Sequence, residues 1–381
     1  MIDGLAGARE KLKYLAGVHS PQASILSVTL STSRLDDWRQ SAPSFLNSEL
    51  NRVSRERALS KDQKRSLQAE LDQVLDLAKY EITPQTQGLA VFADAAVGLN
   101  ERIELPLRLE NRLTVEPSPH VRPVAHALSL LEPFLLAQVS RDDSSLYVVD
   151  EWGVSSEDDL TGPWLRSSDR ETGEVSIKKY YAASRLDTLV EQHFKEVGSS
   201  LAKLLEVSGA RRVVLCAQHE IAAAFRRTLP PVLVASIVAE IPLDTVASTG
   251  QLVAGARKAM EGARQREMGV LAERIKEGLG PGGHGISGFD DVLGALERSQ
   301  VQTLLVARGH RPPGWRCLEC TWVGLAELVK CPRCGGETVP VMDAVGELVR
   351  LAILQSGDVE VAEDLPLLDE LGGVAGILRY A

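Results

Sequence analysis

The stretch Cys317-Leu-Glu-Cys320-Thr-Trp-Val-Gly-Leu-Ala-Glu-Leu-Val-Lys-Cys331-Pro-Arg-Cys334 carries four of the chain's five cysteines. Two CxxC pairs separated by ten residues have the spacing of a closed tetrahedral zinc site, one knuckle from each pair. Thiolates bind as anions, so the metal ties down a segment too short to build its own core. No open ligand position and no general base lies nearby, so the expected Zn2+ is structural. Two disulfides are the alternative, and they would be unusual in a chain that reads as cytosolic.

Outward from the cysteines, the pattern is that of a host domain interrupted by an insertion. Phe289 to Arg298 reads as a helix and Val301 to Ala307 as a buried strand. The insertion occupies 309–339, followed by a helix (Met342 to Gln355), a short strand (Val359 to Val361), a helix (Leu365 to Leu371) and a strand (Ala375 to Tyr380). With the insertion removed, alternating helices and strands predict a compact three-layer α-β-α domain.

At 381 residues the chain has room for two or three domains. Hydrophobic content of 44% and charged content of 25% are ordinary for a soluble globular protein. The first ten residues have no basic region followed by an apolar core, so no signal peptide is expected. No apolar run reaches membrane-spanning length. The formal charge of −10 argues against wholesale wrapping by nucleic acid. It leaves room for a local basic surface. Arg52, Arg55, Arg57, Lys61, Lys64 and Arg65 face only Glu56 and Asp62 in that segment, a candidate phosphate-facing helix junction. A solvated helix face is the competing reading.

Three domains are expected in an α/β chain. Residues 1–118 form an N-terminal α+β domain. Helix Leu5 to Leu15 and strand Ala23 to Leu30 precede a long helix through Arg57, capped by Ser33 or Asp36. Ser60-Lys-Asp-Gln63 resembles a capping box for a second helix ending near Tyr80. Strands Gly88 to Asp94 and Arg102 to Leu107 follow. Residues 119–262 form a mixed-sheet middle domain. Its expected elements are a hairpin (Phe134 to Val139 and Leu146 to Val149), a polar segment from Trp152 to Ser184, a helix from Leu186 to Glu206 and a strand from Arg212 to Cys216. A helix (Glu220 to Leu229), a strand (Val232 to Val238) and a long helix from Leu243 to about Gly262 complete it. Residues 263–381 form the C-terminal domain with its zinc-ribbon insertion.

Phe289-Asp-Asp-Val-Leu-Gly-Ala-Leu-Glu297, Val301-Gln-Thr-Leu-Leu-Val306, the placement of the cysteine insertion and Leu371-Gly-Gly-Val-Ala-Gly-Ile-Leu-Arg-Tyr380 together resemble the C-terminal domain of archaeal and eukaryotic class-1 peptide chain release factors and of Pelota. The closing Gly-Gly-x-x-Gly-Ile-Leu-Arg-Tyr is the most specific piece. Its glycines permit a tight turn and close backbone approach before a buried strand. The order of elements in the middle domain is also similar, so the resemblance covers about 120–381 and is much weaker before that. The chain looks like the bacterial branch of this superfamily, which includes ribosome-hibernation factors of the Balon type.

The departures from the family pattern bear on function. Release factors carry Gly-Gly-Gln on a middle-domain loop that places a water at the peptidyl ester. The equivalent loop here, about Trp152 to Ser184, has none; it holds Trp164-Leu-Arg166, Arg170 and Lys178-Lys-Tyr-Tyr181. Gly282-Gly-His284 falls at the start of the C-terminal domain and reads as a turn. The stop-codon motif Asn-Ile-Lys-Ser is also missing. Cations beside aromatics suit RNA, so Trp164, Arg166, Lys178, Lys179 and Tyr180 are RNA-contact candidates.

Other constellations read as structural. His126 and His193 lie in helical or apolar patterns, and His219 has the place of a helix-capping or packing residue. Cys216 reads as a buried strand cysteine. Asp36-Asp37 and Glu157-Asp-Asp159 read as solvated surface. No Walker motif or triad order occurs.

The resemblance implies a monomeric, cytoplasmic, non-enzymatic factor that occupies the ribosomal aminoacyl-tRNA site, in hibernation or stalled-ribosome handling. Its partners would be ribosomal RNA and a translational GTPase such as elongation factor Tu. Two alternatives stand beside it: a release or rescue factor hydrolysing peptidyl-tRNA by an unorthodox loop, and a structured-RNA binder working off the ribosome.

Overall fold

A computed structural model describes residues 4–33, 37–161, 178–242 and 248–380, with backbone only for 178–186. The chain is mixed α/β and divides into two compact units, one of residues 1–130 with 267–381, the other of 131–266.

In the first unit, strands β1 (Ile25–Ser31), β2 (Gly88–Asp94), β3 (Leu99–Leu105) and β4 (Arg112–Glu116) form an antiparallel sheet in the order β3-β2-β1-β4. Alternation along β1 sends Leu26, Val28 and Leu30 into a core with α2 (Trp38–Glu56) and α3 (Lys61–Tyr80), which contribute Leu46, Leu50, Leu71 and Val74. The expected capping box at Ser60 is present, with Ser60 Oγ accepting from the Gln63 amide and Gln63 Oε1 from the Ser60 amide. The cap expected at Ser33 or Asp36 is not: α2 starts at Trp38 behind Asp37, whose side chain makes no cap hydrogen bond. Ser33 is buried upstream and Asp36 lies outside the described residues.

Helices α1 (Leu5–Gly17) and α4 (Arg122–Leu130) connect this sheet to a second one in the same unit. That sheet has the order β10-β16-β11-β15, from β10 (Gly285–Ser287), β11 (Val301–Ala307), β15 (Asp358–Ala362) and β16 (Val374–Leu378). β11 and β15 are parallel and the other pairs antiparallel. Leu305 and Ala375 face the end of α8 (Thr249–Glu277) and α11 (Pro366–Glu370), through Ala272, Ile275 and Leu368. Helices α9 (Phe289–Glu297) and α10 (Ala344–Leu354) cover the other face. The three-layer expectation therefore holds. The cysteine segment makes its own small sheet, β13-β12-β14, from β12 (Gly314–Cys317), β13 (Val323–Gly324) and β14 (Thr338–Val341).

The second unit carries a five-stranded sheet, β7-β6-β5-β8-β9. β5 (Phe134–Val139), β8 (Val213–Cys216) and β9 (Ile237–Ile241) run parallel, while β6 (Asp143–Val149) and β7 (Val154–Thr161) add antiparallel strands. Period-2 alternation divides β5 cleanly. Leu135, Ala137 and Val139 meet α5 (Lys178–Ser208) and α6 (His219–Thr228), where Phe194 and Phe225 pack edge to face at 5.6 Å. Phe134 and Leu136 meet Leu252 and Ala256 of α8.

Two expectations need correcting here. Val232 to Val238 is not one strand but a short helix, α7 (Pro231–Ser236), followed by β9. Pro231 at the first helical position presets the helical φ. Trp152 to Ser184 is not all loop, because β7 pairs with β6. β7 lies at the edge of its sheet and carries Glu157, Asp158 and Asp159, a composition that hides a strand from hydropathy and discourages further pairing.

Candidate functional site

Two features of the first unit concentrate chemistry. The first is the cysteine cluster. β12 delivers Cys317 at its last position, and the turn to Cys320 is closed by the Cys317 amide donating to the Trp322 carbonyl. The second pair turns the same way, with the Cys331 amide donating to the Gly336 carbonyl. Gly335 sits at φ +79°, where an L side chain is strained. A Cβ on Gly336 would come 2.5 Å from Glu319 Cγ and 3.3 Å from Cys317 Sγ, so glycine there lets the knuckles close.

The four sulfurs lie within 4.8 Å of one another, Cys317 to Cys334 at 3.4 Å and Cys320 to Cys331 at 3.7 Å. A tetrahedron of sulfurs ~2.3 Å from a metal has edges of about 3.8 Å, which this cluster matches. The amides of Glu319 and Arg333 point at the sulfurs of Cys317 and Cys331, at 3.3 and 3.4 Å, stabilising thiolate charge. Burial raises the Cys317 thiol and pushes Cys320 up to about 12, while the amides of Cys334 and Arg333 overcome burial at Cys331 and bring it down to about 7. All four cysteines are free. The donor set fits a closed, four-thiolate metal site and offers no position for substrate.

The second feature is a buried charge network where α10, β12 and the ends of β4 and α4 meet. Glu347 accepts from the Ser118 hydroxyl and, at 2.8 Å, from Arg350 Nε, with Arg316 Nε 3.3 Å away. Burial opposes its ionisation, but Arg316 and Arg350 prevail and hold the carboxyl at about 2. Arg122 donates to Asp343 at 2.9 and 3.0 Å and to the carbonyls of Ala307 and His310. Asp343 also caps α10 through the Gly346 amide. Glu116 accepts the Met342 amide at 2.6 Å, yet burial, with Glu347 and Asp343 nearby, pushes its pKa up to about 7. His19 bridges Pro117 O and Leu318 O, at 3.1 and 2.8 Å, tying the chain after α1 to the first knuckle.

The RNA-contact candidates are dispersed. Arg52 is held between Glu49 and Glu56. Arg57 is turned inward, donating to the carbonyls of Ala23 and Val115, and burial lowers its pKa. Arg55, Lys61, Lys64 and Arg65 face solvent. Trp164 and Arg166 lie outside the described residues. Lys178, Lys179 and Tyr180 open α5, and their side chains lie outside the described residues as well.

His193 is buried against Ser144 at 3.0 Å, and Cys216 is a core residue whose burial pushes its thiol up to about 11. His219 is exposed as the first residue of α6, behind Gln218, so it neither caps nor packs. Gly282-Gly-His284 is the turn between α8 and β10, with His284 Nδ1 3.2 Å from Leu378 O. The charge network has no motif in the sequence. Its signal was three charged residues, Asp343, Glu347 and Arg350, one turn apart on an otherwise apolar helix.

Residues 119–261 match the model of bacterial archaeo-eukaryotic release factor family 10. Over this segment the chain is similar to bacterial relatives of the archaeo-eukaryotic release factors. No curated protein matches. Among solved structures, an archaeal translation termination factor, aRF1, is 16% identical over 100% of this chain and 99% of its own, with a TM-score of 0.27. Pelota of Archaeoglobus fulgidus is 17% identical over 77% of this chain and 80% of its own, at 0.36. A ribosome-bound archaeal Pelota with ABCE1 is 13% identical over 98% and 94%, at 0.41.

Proposed function

We propose that this chain is a non-enzymatic translation factor that binds the ribosome at the aminoacyl-tRNA site and acts in hibernation or stalled-ribosome handling. One pairing carries the reading: residues 119–261 match a release-factor family, while the sequence contains no Gly-Gly-Gln. Ester hydrolysis by that superfamily needs the tripeptide to hold a water at the peptidyl carbonyl. A chain that keeps the middle domain without it retains a reason to reach the peptidyl-transferase centre but not the means to cut there. Residues 152–184 then act as a plug or sensor. Zn2+ in the four thiolates supports the fold and takes no part in chemistry, since four sulfurs fill a tetrahedral shell. The factor is cytoplasmic and monomeric, and its C-terminal domain faces a translational GTPase.

The test is co-sedimentation with ribosomes, with release of labelled peptide from peptidyl-tRNA read in the same tube. Binding to vacant ribosomes without peptide release is expected. Release would make the segment 152–184 a hydrolytic device and overturn the reading. Absence of binding, with structured RNA bound instead, would move the function off the ribosome.

A further inference from the structure

A cavity of about 250 Å³ opens in the first unit where the chain after β3, helix α4 and the ends of β11 and β15 converge. Its charged lining is four arginines, Arg108, Arg122, Arg308 and Arg311, against one carboxylate, Glu110. Arg122 is a built element of the wall: its side chain is only 4% exposed, and its guanidinium is fixed by Asp343 and the Ala307 carbonyl. Arg311 is held at 3.0 Å by Glu110, which also has Arg112 at 3.5 Å, and Arg308 pairs with Glu363. Four guanidinium groups, those of Arg112, Arg122, Arg308 and Arg311, thus meet three carboxylates, Glu110, Asp343 and Glu363. Each guanidinium has five N–H donors, more than these pairs use.

His120 lines the same cavity. Burial lowers its pKa to about 4; Asp343 opposes that, while Arg112, Arg122 and Arg311 add to it. The imidazole is neutral at pH 7 and can donate only one N–H. His126 lines it too, with Nε2 3.6 Å from Glu363, and the rest of the lining is apolar, including Leu107, Leu109, Ala127 and Leu130. Clustered guanidiniums match the oxygens of a phosphate through paired N–H bonds, and an apolar wall suits an attached organic group.

We propose that this cavity binds a nucleotide-sized organic phosphate, with Arg308 and Arg311 on the phosphate and the α4 wall against the organic part. The proposal is independent of the ribosome reading. A phosphate of that kind reaches the cavity either as a free mononucleotide or as the phosphorylated end of an RNA strand.

Calorimetric titration of the full chain with inorganic phosphate, AMP, GMP, CMP, UMP, adenosine and a 5′-phosphorylated trinucleotide tests it. A mononucleotide is expected to bind, more weakly as salt rises, and adenosine is not. Inorganic phosphate is expected to compete. The variants R308A and R311A remove side chains that are 48% and 24% exposed, and each should weaken binding by roughly tenfold, the loss of one charge-assisted hydrogen-bond pair. L130E, at a position 43% exposed, puts a carboxylate beside the cavity and should weaken it similarly. Tighter binding of the trinucleotide would identify RNA as the source, and equal or weaker binding the free nucleotide. The His120 imidazole resonance, followed by NMR, should titrate at higher pH with ligand present. No binding by any phosphate, or affinities unchanged in R308A, R311A and L130E, would overturn the proposal.

Discussion

At the scale of single residues, the buried charges make the strongest demands, because each is stable only with its partner in place. Glu347 and Glu116 share one interior and are pulled in opposite directions. Glu347 titrates at about 2 in the fold, below the usual 4.5, so its contribution is present above pH 4.5 and is lost as pH falls toward 2. Glu116 titrates at about 7, above 4.5, so it costs stability increasingly as pH rises from 4.5 to 7. At 1.36 kcal/mol per unit the cost reaches at most about 3 kcal/mol. Glu116→Gln keeps an oxygen for the Met342 amide and removes the charge. It should leave stability unchanged at pH 4.5 and raise it by about 1–3 kcal/mol at pH 8, read from urea melts at both pH values. An equal effect at the two pH values would show that Glu116 carries no buried charge. Arg122→Met has the opposite logic. It strands Asp343, which is buried, and should cost about 3–5 kcal/mol. Substituting Cys331 by Ser removes one ligand of a closed four-thiolate shell. The purified variant should hold far less zinc by elemental analysis than the parent, at roughly one ion per chain, and should lose protection from proteolysis between 309 and 339.

Single elements show where sequence and fold part company. The turn Gly280 to Gly285 makes sense only through its backbone. A Cβ on Gly285 would lie 2.0 Å from the Ile275 carbonyl oxygen, and on Gly283 equally close to that of Gly278. Gly285→Ala should therefore destabilise the unit by about 2 kcal/mol or more, while Gly280→Ala meets nothing and pays only for its φ of +117°. Comparable thermal shifts for the two would remove the close-approach argument. Elements with strong periodicity, such as β5, β11, α3 and α10, could be read directly from the chain, since burial imposes period 2 or 3.6 on hydrophobic residues. β7 could not, because an edge strand with an acidic face needs no apolar pattern. β4 does not show in the sequence because its five residues, Arg112–Glu116, are too short for alternation to stand out. α8 does not show as one helix in the sequence because Leu252 and Ala256 serve one core while Met268, Ala272 and Ile275 serve another, with no single apolar face between them. The cysteine cluster was fully legible because metal coordination dictates residue type and spacing together. The arginine cavity was not, since Arg108, Arg122, Arg308 and Arg311 come from segments that only tertiary folding brings together.

For the whole molecule, the proposed ribosome reading requires a chain of net charge −10 to approach a surface as anionic as ribosomal RNA. Long-range repulsion is screened over about 8–10 Å at physiological salt, so local charge decides. The structure narrows the basic segment identified from sequence. Arg52 is neutralised by two glutamates and Arg57 serves the interior, which leaves Arg55 and the first turns of α3, with Lys61, Lys64 and Arg65, on the surface. Each phosphate contact releases condensed counterions and steepens the salt dependence by just under one unit of slope. If this patch meets RNA, the triple change of Lys61, Lys64 and Arg65 to glutamate should lower ribosome affinity by more than tenfold and flatten the log–log salt slope by about 2–3. Arg52→Ala, which removes an already paired charge, should leave both nearly unchanged. The α3 residues touch no core, so circular dichroism and thermal melting should be the same in the triple variant and the parent. A triple variant that binds ribosomes with the parent's affinity and slope would assign this helix to solvent and shift the RNA contact to the segment around Trp164 and Arg166.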